Sequence, residues 1–173
     1  GLVRRRVATL VAVATLLVGC GGGVEGSPLA AERWDPCSIT PEAVEAAGLD
    51  PTYRKSWSEG IEVPDWGLCS FKPPGKDIPY FLSVTSSFVH TLDEARRDSL
   101  NLDGSDLTIG DRDAFRYRTE VGRTGRSCDI AVELPPGVVV FSAVDMSELP
   151  NIRLCELVLQ HTNDLEASLP KSD

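Results

Sequence analysis

The chain has 173 residues, 42% of them hydrophobic, and 26 acidic against 17 basic side chains give a formal charge of −9. That length is enough for one domain with a real core, and the apolar fraction is too high for a disordered chain. The acidic balance makes nucleic acid and anionic lipid surfaces poor partners.

Arg4, Arg5 and Arg6 precede an almost wholly apolar run from Val7 to Val18. The run is too short to span a bilayer, which needs about 20 apolar residues. A cationic start, a short apolar middle and small residues at the end describe a secretory signal peptide over residues 1–19. Its end, Leu17-Val18-Gly19-Cys20, resembles the bacterial lipobox. The resemblance implies that Cys20 receives a diacylglycerol and further acyl chains such as palmitate, and becomes the mature N-terminus. The competing readings are an ordinary signal peptide with an incidental cysteine and a buried N-terminal helix. Two or three acyl chains anchor durably, at ~0.8 kcal/mol per buried methylene. Residues 20–33, with Gly21, Gly22 and Gly23, read as a flexible tether. Loss of the leader removes three arginines, so 14 basic residues face 26 acidic ones and the charge becomes −12.

Residues 34–170 are expected to form the globular domain. Thr40 and Pro41 open a helix as N-cap and first residue, and Gly48 ends it. Residues 50–66 are polar, irregular and bracketed by prolines, with Tyr53, Trp57 and Trp66 among charges. Strands are expected at 67–71 and 80–88. Thr91 and Glu94 make a capping box for a helix through about Leu100. A short strand over 106–109 then leads to three strands at 114–121, 128–134 and 138–144. Their connections, 122–125 and Pro135-Pro136-Gly137, are short turns, so the three form an antiparallel meander. Phe115, Tyr117, Thr119 and Val121 alternate with Arg116, Arg118 and Glu120. The last helix is expected from near Ser147 to about Ser168. Its apolar stripe holds Ile152, Cys155, Val158, Leu159, Thr162, Leu165 and Leu169. The class is therefore α+β, with about three helices on an antiparallel sheet.

Four cysteines remain after Cys20: Cys37, Cys69, Cys128 and Cys155. An even number in an exported chain points to disulfides. A four-cysteine zinc site is the alternative, but zinc ligands usually come in close pairs and these are far apart. Cys128 lies on the apolar face of its strand and Cys155 on the helix stripe, so a bridge between them would staple helix to sheet. Cys37 with Cys69 would tie down the N-terminal segment.

The segments "WDPCSIT" at 34–40, "AAGL" at 46–49, "CSF" at 69–71 and the ending Leu169-Pro170 resemble actinobacterial lipoproteins sharing domain of unknown function 3558. Phe71 stands where tryptophan is common in that family, a departure that touches packing only. The resemblance implies a cell-envelope lipoprotein and brings no catalytic residues.

No serine-nucleophile elbow, phosphate-binding loop, zinc-protease helix or dinucleotide fingerprint is present. No metal or other cofactor is expected. Asp103, Asp106, Asp111 and Asp113 lack the spacing of a calcium loop and read as turn formers. His90 and His161 read as surface or half-buried side chains. Arg116 and Arg118 are expected on a wet sheet face, paired across strands with Asp129 and Glu133, or open to an anionic envelope partner. Aromatic side chains on the 50–66 loop are candidate contacts, or else lids over the core. The expected role is non-enzymatic binding on the outer face of the cytoplasmic membrane, with an envelope protein or lipid as partner. The alternatives are a carrier of a small apolar ligand between helix and sheet, and a carboxylate-dependent hydrolase.

Overall fold

A computed structural model describes residues 33–57, 61–123 and 125–171. The expected signal peptide, Cys20 and nearly all of the tether lie outside the described residues.

A 3₁₀ turn at Pro36–Ser38 leads into α1 (Pro41–Ala46). The Thr40 hydroxyl accepts from the Ala43 amide, and Gly48 takes φ +79° just past the helix end. That conformation is strained for any residue with a Cβ. Six strands follow: β1 (Gly67–Phe71), β2 (Tyr80–Ser87), β3 (Leu102–Ile109), β4 (Arg112–Val121), β5 (Gly125–Leu134) and β6 (Gly137–Asp145). They form one antiparallel sheet in the order β1-β2-β6-β5-β4-β3. The expected meander therefore includes β3 and continues through β6 into β2. Between β2 and β3 lies α2 (Leu92–Arg97), and after β6 comes α3 (Asn151–Leu165), closed by a 3₁₀ turn at Glu166–Ser168.

Several boundaries differ from the sequence expectation. β3 starts at Leu102 rather than 106, because an irregularity between Leu102 and Ser105 lets polar edge residues pair. Gly104 permits it: a Cβ there would lie 2.2 Å from the Phe115 ring. α2 stops at Arg97 instead of Leu100, since Asp98 turns extended and its carboxylate accepts from the Leu100 amide. α3 begins at Asn151, not Ser147, because Pro150 is the N-cap.

α3 lies across β5 and β6. Leu154, Leu157, Val158 and Leu165 fill the space against Ile130, Val132, Val139 and Phe141. The bridges Cys37–Cys69 and Cys128–Cys155 are both formed, as expected. The second staples α3 to β5. Ile152, expected on the buried stripe, is 72% exposed. His161, expected half-buried at most, is in the core, where its Nε2 is 2.6 Å from the Tyr80 hydroxyl.

The expected facing of β4 needs a larger correction. Directly opposite residues in an antiparallel pair share a face. Arg116 is opposite Ile130 and Arg118 opposite Cys128, so both arginines are on the α3 face. Tyr117 is opposite Asp129 on the other face. The expected pairing of these arginines with Asp129 and Glu133 is therefore not formed. Arg118 bonds Asp103 instead, Nε to Oδ2 at 2.7 Å. The second face is not simply wet either: Leu92, Phe115, Tyr117, Ala131, Val138 and Val140 make a smaller apolar cluster beneath α2.

Candidate functional site: an aromatic cleft beside α2

The loop before β1 is less free than its composition suggests. Arg54 donates to the carbonyls of Cys37 (2.7 Å) and Ile39, and Lys55 bridges to Ser70 beside β1. Tyr53 packs on Phe81, ring centroids 6.0 Å apart, with the Lys55 and Lys72 ammonium groups near its face. This first half of the loop is tied to the sheet. Trp57 and Trp66, at the other end, are half-buried, and the Trp57 indole N–H donates to the Trp66 carbonyl at 3.4 Å.

Trp66 faces the start of α2. His90 precedes the N-cap Thr91, and the Ser87 hydroxyl accepts from the amides of Val89 and His90. The capping box expected from sequence is complete: Thr91 Oγ1 accepts from the Glu94 amide, and Glu94 Oε2 accepts from the Thr91 amide. The same Glu94 oxygen accepts from His90 Nδ1 at 2.8 Å. The hydrogen bond from His90 is the main cause that holds the Glu94 carboxyl below its usual range. On the other ring nitrogen, Nε2 stands 4.0 Å from Asp65. The imidazole so fixed stacks on Trp66 at 4.9 Å with an 8° interplanar angle.

Beneath this stack is a cleft of about 290 Å³. Tyr117, Val138 and Val140 floor it, and Thr91, Glu94, Ala95, Asp98 and Asn101 wall it along α2. A second cavity of about 520 Å³ opens on the loop side of Trp66, between Arg33, Trp57 and the segment 62–65. Trp66 thus contributes to two adjoining cavities, and Trp57 to the outer one.

The cleft continues the polar centre of the sheet. Ser83, Ser142, Asp129 and Tyr117 make one row across β2, β6, β5 and β4. Asp129 is buried, and its Oδ2 accepts from Ser127 (2.9 Å) and Thr119 (3.1 Å). Burial pushes its carboxyl pKa up, and hydrogen bonds from Ser142, Ser127 and Thr119 oppose the shift without reversing it. Burial likewise raises the Tyr117 phenol, and the Asp129 charge adds to it.

The structure thus brings Trp57 and Trp66 together, holds Tyr53 on Phe81 among two lysines, and puts Arg116 and Arg118 on the opposite face. Sequence reasoning did not single out His90, Glu94, Tyr117 or Asp129 as neighbours. The alternation of β4 did signal that Phe115 and Tyr117 share a face. Of the aspartates expected in turns only Asp111 is in one; Asp113 lies in β4, and Asp103 and Asp106 lie in β3, where Asp103 pairs with Arg118 and Asp106 with Arg96 at 2.8 Å. Among the described residues no cluster of three or more His, Cys, Asp or Glu side chains has the arrangement of a metal site.

The model of one protein family, described as Protein of unknown function (DUF3558), matches residues 15–168. No curated protein and no solved structure matches the chain. The match covers most of the sequence, including both disulfides, the whole sheet and the residues around Trp66, and the chain belongs to the DUF3558 family.

Proposed function

We propose that this protein is a cell-envelope lipoprotein, held on the outer face of the cytoplasmic membrane by a lipid on Cys20, and that it is a non-enzymatic binding module. The observation that carries the binding surface is Trp66, which borders two cavities outside the main core. Half-buried aromatic side chains rimmed by polar groups are the anchors that recognition surfaces favour. Two disulfides suit an oxidising compartment, and the lipobox-like sequence supports the anchor. The packed α3 interface favours a surface-binding role over a carrier with its ligand under the helix.

Two experiments test this reading. Cys20→Ala should release the protein from the membrane fraction or leave an uncut precursor. Normal processing with full membrane retention would remove the anchor from the proposal. For binding, a photo-crosslinking residue placed at exposed Glu62 should form a discrete adduct in the intact envelope. The same residue at exposed Lys76 should not, and Trp66→Ala should abolish the Glu62 adduct while the fold persists. Equal labelling from both positions would reject the surface.

A further inference from the structure

We propose a second site, on the α3 face and independent of the Trp66 cleft, for a small amphiphilic anion: a carboxylate or phosphate head on Arg116, with an apolar stem along Ile152 and the Cys128–Cys155 bridge. A cavity of about 330 Å³ lies there, lined by Asp103, Arg116, Tyr117, Arg118, Asn151, Ile152 and the disulfide. Its volume is at the small end of ligand pockets, ~300–1,000 Å³, which suits a head group and a short stem.

The two arginines differ. Arg118 is occupied by Asp103, and its Nη1 is also 3.6 Å from Glu120. Arg116 is half-buried, lines the cavity, and makes no hydrogen bond or ion pair among the described residues. A guanidinium forms its strongest hydrogen bonds with carboxylate or phosphate, often two in parallel. Because Asp103 balances Arg118, the cavity retains one uncompensated cation in a chain of net charge −9. An isolated anion can reach that cation at close range, whereas an extended anionic surface meets the repulsion of the whole domain.

The apolar end is equally specific. Ile152 is 72% exposed, although Leu154, Val158 and Leu165 on the same helix are fully buried. It faces a cavity that also includes the partly buried Cys155. The site therefore brings a cationic group and an apolar group to one cavity, which neither inorganic phosphate nor a neutral alkane fully uses.

The test is calorimetric titration of the full chain carrying Cys20→Ser, with octanoate, octyl phosphate, inorganic phosphate and octanol as probes. Both octyl anions should bind with 1:1 stoichiometry, at least about tenfold more tightly than inorganic phosphate or octanol. Arg116→Gln should weaken both octyl anions at least about tenfold, and Ile152→Ser should weaken them toward inorganic phosphate. Trp66→Ala should leave them unchanged, which separates this site from the α2 cleft. Thermal melts establish that each variant is folded, and Arg116→Lys, which keeps the charge, should restore part of the binding. Vesicles of phosphatidylglycerol in phosphatidylcholine separate the two sources of the ligand. Arg116-dependent vesicle binding alongside octyl binding identifies a lipid head, and octyl binding alone identifies a free amphiphile. Inorganic phosphate binding as tightly as octyl phosphate, undiminished binding by folded Arg116→Gln, or no octyl binding at millimolar concentration overturns the proposal.

Discussion

The two faces of the sheet are covered very unequally. One face carries α3, fifteen residues long, with α1 and the 36–38 turn beside it. The other carries α2, six residues long, and the segment around Trp66. Under the middle of α3 most side chains are aliphatic or aromatic and almost wholly excluded from water, with His161, Thr162 and Arg112 as buried polar exceptions, and a disulfide fixes the helix in place. Beside α2 an apolar patch gives way to a row of Ser83, Ser142, Asp129 and Tyr117. Burial of apolar area on the α3 face therefore dominates stability. The thinner cover leaves aromatic and polar groups where another molecule can reach them, and this division of labour can be tested face by face.

The largest expected effect is in the α3-side core. Phe141→Ala should cost about 3–5 kcal/mol in urea unfolding, since a fully buried aromatic leaves a cavity. Leu92→Ala, beneath α2, should cost about 2 kcal/mol, at the lower edge for buried leucine, because a short exposed helix can settle onto the gap. Equal costs would erase the contrast between the faces. Between these two in size is the staple itself. Replacing Cys128 and Cys155 together by alanine should cost about 3 kcal/mol, given a sequence separation of 27 residues. A loss well under about 1 kcal/mol would mean that helix packing alone fixes α3.

Buried titratable groups mark both faces with opposite pH signatures. On the α3 side, burial holds His161 below its ordinary value, and its Nδ1 has no hydrogen-bond partner in the described structure. The Ala47 backbone opposes the shift, but its approach falls short of a hydrogen bond and burial decides the direction. The unfolded chain therefore takes up the proton first. Stability should be full above about pH 6.5 and fall on acidification toward the lower folded value, by up to ~1.4 kcal/mol per pH unit. The difference between parent and His161→Gln in urea midpoints from pH 8 to 5 isolates this contribution. A pH-independent difference would contradict the burial argument.

On the α2 side, Asp129 has its folded pKa raised, so folding disfavours its charged form. As pH rises from about 4 through the folded value, the parent should lose stability relative to Asp129→Asn. A difference moving in the parent's favour would show that the hydroxyls of Thr119, Ser127 and Ser142 outweigh burial. The smallest effect is expected at the rim. Trp57→Ala should cost about 1 kcal/mol or less, since the side chain is half-buried with one 3.4 Å hydrogen bond. A loss of about 3–5 kcal/mol would make Trp57 a core lid and take it out of the proposed binding surface.

Local rules of the chain were legible without coordinates. The Thr40 and Thr91 caps, the turn at Pro135-Pro136-Gly137 and the alternation of β4 and β5 each depend on neighbours in sequence or on one periodicity, and the pairing of Cys128 with Cys155 rests on two periodicities taken together, which leaves Cys37 for Cys69. Facing was not, because alternation within a strand says which residues share a side but not which side meets α3. The β4–β5 register decides that, and it carries Arg116 and Arg118 to the α3 face while Tyr117 joins Asp129. Helix ends moved for a related reason: Pro150 and the Asp98 carboxylate override a pattern that continues past them.

The sequence by itself determined an acidic α+β domain with two disulfides, since composition, period and cysteine placement are properties of the chain. Only the tertiary structure decided that Trp66, His90, Glu94 and Tyr117 meet, and that Arg116 lies beside Ile152. Residues from the 66–67 junction, the α2 N-terminus and β4 are separated by more than twenty positions each, and nothing in their local spacing encodes contact. Their meeting follows from β2 pairing with β6, a closure of more than fifty residues whose energy comes from the buried face rather than from the site it creates.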